Sequence, residues 1–472
     1  MAIGTDTGLL ENLQHAIKKA GLTGTAVLVS SIKKVKDSSP LAFYHSGLKK
    51  YLGERLYWHS SAENLTIAGI GKMEKLQVQP GPQRYNHIEK EWNALLANSI
   101  IHNNVDVPAT GPILFGGFSF DSDNSQSLLW DHFGDHMFYL PKYMLTYDGR
   151  DTYITVNLIC TPGENLSDLL EIVNEGEQLL SDSAAALEMK QNQPVKGVKE
   201  KEPEQWKETV QRAVNTIKGS HIDKIVLARE LRLQFEDAIL PEPILERLLK
   251  EQPASYVFSI ESGSNAFVGA TPERLVKKEK NKVLSTCLAG SIARGKTAEE
   301  DEKLGNALLH DPKNLIEHQY VVGMIKEAVE SVCSSVSLPS KPALMKTRHI
   351  QHLYTPVTGE MEEATSIFHL VEKLHPTPAL GGLPREEALE WILENENMDR
   401  GFYAAPIGWT DADGNGEFAV GIRSALIQGN EASLFAGCGI VEDSNPEEEY
   451  EETWIKFKPM LQALGGTGNE SY

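Results

Sequence analysis

Near the C-terminus the chain reads AGCGIVEDSNPEEEYEETWIKFKP from Ala436 to Pro459, and no other stretch restricts its folding as much. A glycine-punctuated strand, Ala436 to Val441, runs into a turn, and Asn445-Pro446 then opens an acidic helix. Proline suits the first helical position, where its missing N–H would have no partner anyway. At about 3.6 residues per turn, Tyr450, Trp454, Phe457 and Leu461 form one apolar stripe. Glu449, Glu452 and Lys456 share a second arc about 60° wide, roughly a quarter turn or more from that stripe. Two carboxylates spaced i, i+3 with an ammonium four residues on can hold a divalent cation and an anionic ligand side by side. A solvated face carrying an ordinary Glu–Lys pair has the same spacing, and the helix alone does not decide.

The 472 residues carry a formal net charge of −21, which argues against nucleic acid or an anionic membrane as partner, since both need a basic footprint. An anionic metabolite can still bind wherever Arg, Lys or a metal reverses the local field. The first residues, MAIGTDTGLLENLQHAIKKAG, read as an amphipathic helix and lack the order of a signal peptide. No apolar run approaches membrane-spanning length. Cys160, Cys287, Cys333 and Cys438 are scattered without a CxxC pair, so neither a disulfide framework nor a zinc site is expected. The expectation is a soluble, cytoplasmic protein.

One shift in composition divides the chain. Residues 183–205, SAAALEMKQNQPVKGVKEKEPEQ, offer little to bury and read as an exposed linker or a helix-to-helix connection. Residues 1–190 are expected to form an N-terminal α/β part of the same large globule, and 206–465 a catalytic region. Before the connection, TAVLVSSI, MFYLPKYMLTY and TYITVNLI are strand-like, the last two as neighbours, and Tyr85 to Asn98 is helical. After it, Val210, Val214 and Ile217 mark a helix that stops at Gly219. KIVLARELRL follows as a strand and Pro241 to Lys250 as a helix; SYVFSI, NAFVGA, ERLVKK and VLSTCLAG are strands with short, antiparallel-favouring connections. A helix begins at Asp311-Pro312, and DADGNG (Asp411 to Gly416) is a hairpin turn. This grouping predicts an α+β fold with largely antiparallel sheets packed in a sandwich and helices outside.

Several residues sit where their chemistry needs explaining. Glu317 shares a helix face with the apolar Val321, Met324 and Ala328, so it needs a cation, a metal or access to water. Lys224 opens a strand; with its pKa lowered it would be a general base, and otherwise it is an exposed strand-end lysine. Glu273 closes GATPE on a short turn, as a general acid or as a solvated carboxylate. In AVGIRSALI, alternation points Arg423 the same way as Gly421 and Ala425, a small-residue face suited to fork-like carboxylate binding. Gly437 and Gly439 permit close approach of a ligand to the backbone, or mark a bulge. His349 and His352 have the spacing of a metal pair but lack a third ligand.

Together these segments resemble the chorismate-utilising enzymes, which include isochorismate, salicylate, anthranilate and aminodeoxychorismate synthases. The matching pieces are KIVLARE, FVGATPERLV, LAGSIARG, DPKNLIEH, QHLYTPVTG, LHPTPALGGLPR, RGFYAAPIGW, FAVGIRSALI and AGCGIVEDSNPEEEYEET, from about Lys224 to Lys456 in the family's order. The resemblance implies the anthranilate synthase component I-like fold, with 206–465 as its chorismate-binding region. It implies Mg²⁺ on Glu317 and Glu452, with Glu449 beside it or acting through water. Tyr403, Arg423 and the backbone near Gly437 would bind the pyruvyl carboxylate, Lys456 would approach the metal-bound carboxylate, and His352 would line the pocket, as would Ala379 and Leu380 after the turn His375 to Pro378.

Two positions select among family members. Ammonia-using members resemble one another in having glutamine where Lys224 stands, and aminodeoxychorismate synthases place a nucleophilic lysine where this chain has Ala289. The pattern here implies water activated by Lys224, attack at C2 of chorismate, and protonation of the departing C4 hydroxyl by Glu273, giving isochorismate without a glutamine amidotransferase subunit. Salicylate synthases carry threonine at the position of Ala379. The N-terminal segment resembles menaquinone-pathway members more than siderophore-pathway ones, and a monomer or homodimer is expected. A non-catalytic chorismate-binding relative is the alternative from another class.

Overall fold

Strand Tyr256–Ser262 is buried along its whole length, yet its side chains feed two different cores. Tyr256, Phe258 and Ile260 point into one and Val257 into the other; Trp58 and Tyr57, or Ile67 and Ala68, divide in the same way. Successive strand residues face opposite sides of a sheet, so a sheet apolar on both faces must be covered twice. The first core is enclosed by the sheet itself, which curls until Phe115, Phe118 and Phe138 from its early strands share one core with Phe258 and Phe418 from its late ones and with Phe402 from the turn before Pro406–Asp411. Each such ring, fully buried, contributes about 1.5–3 kcal/mol. The second core lies under outer helices, including Thr7–Thr23, Leu166–Ser183, Pro241–Glu251 and Pro446–Ala463.

The structure, a computed structural model, describes residues 7–466 apart from 37, 77–80, 82, 103–104, 123–126, 185–190, 193, 349 and 362–364. Among the described residues the strand pairings link into one sheet of 21 strands. The pairing is antiparallel except where Val27–Val35 runs parallel to Ser99–His102. Strand Arg55–Ser60 pairs with Tyr256–Ser262, and Ile113–Phe118 with Pro406–Asp411, so strands on either side of the 183–205 connection share the sheet. The α+β, antiparallel reading of the sequence is therefore realised. No described helix is long and apolar enough to cross a membrane.

The 183–205 stretch is more structured than a linker. Its residues Gly197–Glu200 form a strand that pairs with Leu231 to Gln234, and Pro203 opens helix Pro203–Gly219. Strand Lys224–Gln234 already pairs with Glu431–Ile440 on its other side, so the added strand covers an open edge. Helices Pro203–Gly219 and Arg385–Asn395 then cover the outer face of this pair through Trp206, Val210, Ala388 and Ile392.

Local signals place the two helices that flank the site. Asp311 caps Pro312–Glu330 by accepting from the Asn314 amide at 2.7 Å. Asn445 caps Pro446–Ala463 by accepting from the amides of Glu447 and Glu448 at 2.9 and 3.3 Å. Such caps satisfy amides that have no partner within the helix. Phe457 and Leu461 of the predicted stripe are buried, while Tyr450 and Trp454 lie at its partly exposed edge beneath the Arg229 guanidinium.

Candidate active site

A cavity of about 320 Å³ opens between the Lys224–Gln234 and Glu431–Ile440 strands, the helices Pro312–Glu330 and Pro446–Ala463, and the connections before Arg274, Arg385 and Ser424. Every candidate residue read from the sequence lines it: Lys224, Glu273, Glu317, His352, Ala379, Leu380, Tyr403, Arg423, Gly437, Glu449, Glu452 and Lys456. His349, the other half of the considered histidine pair, lies outside the described residues.

The charged groups meet across the chain. Lys224 Nζ donates to Glu317 Oε1 at 2.5 Å, and Lys456 Nζ is 2.6 Å from Glu452 Oε1 while also donating to the Gly437 carbonyl at 2.7 Å. Glu449 accepts from the Ser444 hydroxyl at 2.7 Å. Lys456 holds the Glu452 carboxyl below the usual range, whereas burial pushes Glu449 up. Glu273 is the most perturbed acid of the cavity: burial raises its carboxyl to about 7, against the opposing pull of Arg423, Lys224 and Lys456. Burial, with Arg423 and Lys456 nearby, lowers His352 to about 3, so its ring is neutral near pH 7. Among the described residues no three His, Cys, Asp or Glu side chains are gathered as a metal cluster. Glu317, Glu449 and Glu452 line one cavity, but each is turned to its own lysine or serine.

Glycine leaves room at two points of the floor. A Cβ at Gly439 would lie 2.4 Å from Lys224 Cε, so a side chain there would push the lysine out of its present position. A Cβ at Gly437 would lie 2.9 Å from the Leu227 carbonyl oxygen and 3.2 Å from Tyr403 Oη.

Arg423 reaches the cavity by a different route from the one its sequence suggests. It does not alternate within a strand: residues 421–423 separate Gly416–Val420 from Ser424–Gln428, and Arg423 has φ +51°. A left-handed arginine is uncommon and persists only where its surroundings hold it. Here the Ala270 amide donates to the Arg423 carbonyl at 3.0 Å, and Gly421 exchanges backbone bonds with Ala404 and Ala405. Ala404, also on the cavity wall, has φ +60°. The Arg423 guanidinium faces the cavity with no ion-pair partner among the described residues.

Comparison with known proteins shows the family. The model of the family described as "Chorismate binding enzyme" matches residues 14–465. This chain belongs to that family. It is 46% identical to the isochorismate synthase MenF of Bacillus subtilis over 96% of either chain. It is 34% identical to the salicylate biosynthesis isochorismate synthase of Pseudomonas aeruginosa, over 96% of this chain and 94% of that one. The menaquinone-specific isochorismate synthase MenF of Escherichia coli has the same fold, with a TM-score of 0.76 at 21% identity, covering 96% of this chain and 100% of that one.

Within this chorismate-binding fold Arg400 is among the groups that escaped sequence reasoning. Arg400 lines the cavity and is clamped by Glu396, with Nε–Oε1 at 2.6 Å and Nη2–Oε2 at 2.7 Å. It donates to the carbonyls of Leu380 at 3.0 Å and Val226 at 2.7 Å, and Glu396 also accepts from the Ala228 amide at 2.7 Å. Arg400 thus ties the Ala379–Leu380 wall to the strand that begins with Lys224. Its signals in the sequence are its place at the head of RGFYAAPIGW and Glu396 four residues before it, whereas the carbonyls of Leu380 and Val226 are not adjacent in sequence.

Proposed function

We propose that this chorismate-binding enzyme is an isochorismate synthase: water adds at C2 of chorismate, the C4 hydroxyl leaves, and isochorismate forms reversibly. One observation carries the reading. Lys224 and Glu273, a candidate base and a candidate acid, face the same cavity, whose wall at Ala289 offers no amine nucleophile.

Glu273 suits the acid's part because its carboxyl, raised to about 7, keeps a substantial protonated fraction at neutral pH. It can therefore deliver a proton to the departing C4 hydroxyl. Lys224 would take the proton of the attacking water. In the structure it donates to Glu317, so acting as base requires that carboxylate to be engaged elsewhere. The substrate is a dianion, and Arg423, which faces the cavity with no ion-pair partner among the described residues, suits its pyruvyl carboxylate. Tyr403 lies beside Gly437, and both border the same recess. His352, kept neutral, adds a polar wall without adding charge.

The donor set fits Mg²⁺. Glu317, Glu449 and Glu452 provide only carboxylate oxygens, and hard cations of this size take oxygen ligands. When bound, the ion would supply the positive charge that holds the ring carboxylate and offsets these acids. Lys456, between Glu452 and the Gly437 carbonyl, would approach that same carboxylate.

The near-full-length likeness to MenF of Bacillus subtilis, which shares its name with the menaquinone-specific enzyme of Escherichia coli, supports a place in menaquinone formation. Every group named belongs to one chain, so a monomer or a homodimer would serve, without an amidotransferase subunit. Four free cysteines suit a reducing, cytoplasmic setting. The test is direct: purified protein, chorismate and Mg²⁺, with products separated and identified. Isochorismate is expected without glutamine or ammonia. Anthranilate, an aminodeoxy product, or salicylate with pyruvate as the main species would overturn the reading.

A further inference from the structure

His318 follows Glu317 on helix Pro312–Glu330 but points inward, with 2% of its surface exposed. Beneath the helix, strand Lys282–Ala293 pairs with Ile350–Met361, and the register slips between Leu288 and Ser291. The residues of the slip, Ala289 and Gly290, form part of the cavity wall. A slip of this kind leaves backbone groups without their ladder partner. Here the Ala289 carbonyl lies 2.9 Å from His318 Nδ1, and because a carbonyl can only accept, Nδ1 carries the proton. Nε2, 2.7 Å from Thr355 Oγ1, then accepts from that hydroxyl. Thr355 stands on the opposite strand, paired with Cys287, whose Sγ is 3.5 Å from Nδ1.

One imidazole therefore joins both strands, at the point where their ladder is interrupted, to the helix that carries Glu317. Asn314 touches the same place from the same helix: a Cβ on Gly290, which has φ +80°, would lie 3.1 Å from its Oδ1. The ring itself is not part of the cavity lining.

We infer that His318 is a positioning residue for the reaction, holding the Ala289–Gly290 wall and Glu317 in register with each other through its Nδ1–H bond to Ala289. The effect on turnover rests on the chemistry proposed for this cavity, where small displacements of reacting groups are costly. The effect on the wall does not.

Three variants separate this role from simple support of the fold. In His318→Asn the amide nitrogen falls close to the place of Nδ1 and keeps the bond to Ala289. In His318→Gln it reaches toward the place of Nε2 and loses that bond, and His318→Leu loses both. With the folded fraction measured by thermal melting, kcat per folded molecule should fall about tenfold or more in the Leu and Gln variants and by less than about threefold in Asn. Native kcat and KM in the Leu variant, or equal impairment of Asn and Leu, would overturn the inference. Amide exchange of residues 286–293, read by mass spectrometry, tests the wall without any substrate. Faster exchange in Leu and Gln than in Asn and the parent protein supports it, and unchanged exchange in Leu refutes it. A parent protein that leaves chorismate unconverted would sink the functional reading alone, because exchange would still decide the role of His318.

Discussion

Arg55 and Arg423 are both arginines set among buried acids, and the structure treats them in opposite ways. Around Arg55 every charge is answered from within the protein: Nε and Nη2 donate to the two oxygens of Glu261 at 3.0 and 2.6 Å, and Nη1 donates to Glu242 at 2.7 Å. Tyr44 Oη and the Gly53 amide complete the shell of Glu261. Arg423 instead faces a cavity, with Glu273 near enough to attract it but no ion pair among the described residues. Burial lowers the Arg423 pKa and raises that of Glu273, the mark of charges left waiting for a partner. Saturated charge clusters hold a fold together; unsaturated ones recognise ligands.

The largest effect should come from the metal. EDTA should abolish turnover and Mg²⁺ restore it, and Glu317→Gln or Glu452→Gln should remove most activity while leaving the thermal transition almost in place. Full activity in a verified metal-free preparation would contradict the proposed use of these acids.

Next in size are the base and the acid. Lys224→Ala and Glu273→Gln should each lose on the order of a hundredfold or more in kcat while still binding chorismate. Near-native kcat in either would cancel its role.

The two clusters should then part in stability. Arg55→Met strands Glu242 and Glu261 without their cation and should cost about 3–5 kcal/mol in urea unfolding, with kcat per folded molecule unchanged. Glu273→Gln should act the other way. Its native carboxyl titrates at about 7 against an ordinary 4.5, so between these values the folded protein holds the extra proton. Its contribution to stability is therefore fully present below about 4.5, declines as pH rises towards 7, and levels off once the folded carboxyl has ionised. The Gln variant should gain about 3 kcal/mol over the parent near pH 8 and nothing near pH 4. A pH-independent difference would show that Glu273 is not the strained acid described here.

The smallest expected effect is at the wall. Ala379→Thr places a branched hydroxyl-bearing side chain beside the space for the attacking water and should slow isochorismate formation a few-fold. It should also raise the share of product that loses pyruvate, without converting the enzyme. Time courses of isochorismate, salicylate and pyruvate would show it, and a native rate with a native product ratio would remove Ala379 from contact with the ring.

Much of the architecture was legible because its causes are local. Period-two strands, the proline-opened helices with their Asp311 and Asn445 caps, and the Asp411 hairpin each follow from neighbouring residues. The strand Gly197–Glu200 was not legible, since a short polar segment pairs only because the edge of Lys224–Gln234 is there to be covered. The candidate site was recognisable through motifs, which name residues without saying what each one touches.

The sequence by itself determined many of the strands and helices, the antiparallel α+β class, the family, and most of the membership of the cavity. The tertiary structure alone decided the pairings: Lys224 with Glu317 across 93 residues, and Arg400 with the Val226 carbonyl across 174. It also turned Arg423 out of strand alternation and set His318 against the slipped ladder. The reason is physical. Periodicity and capping depend on residues within a turn or two, whereas partner choice, burial and left-handed backbone depend on surfaces that exist only once the sheet has curled.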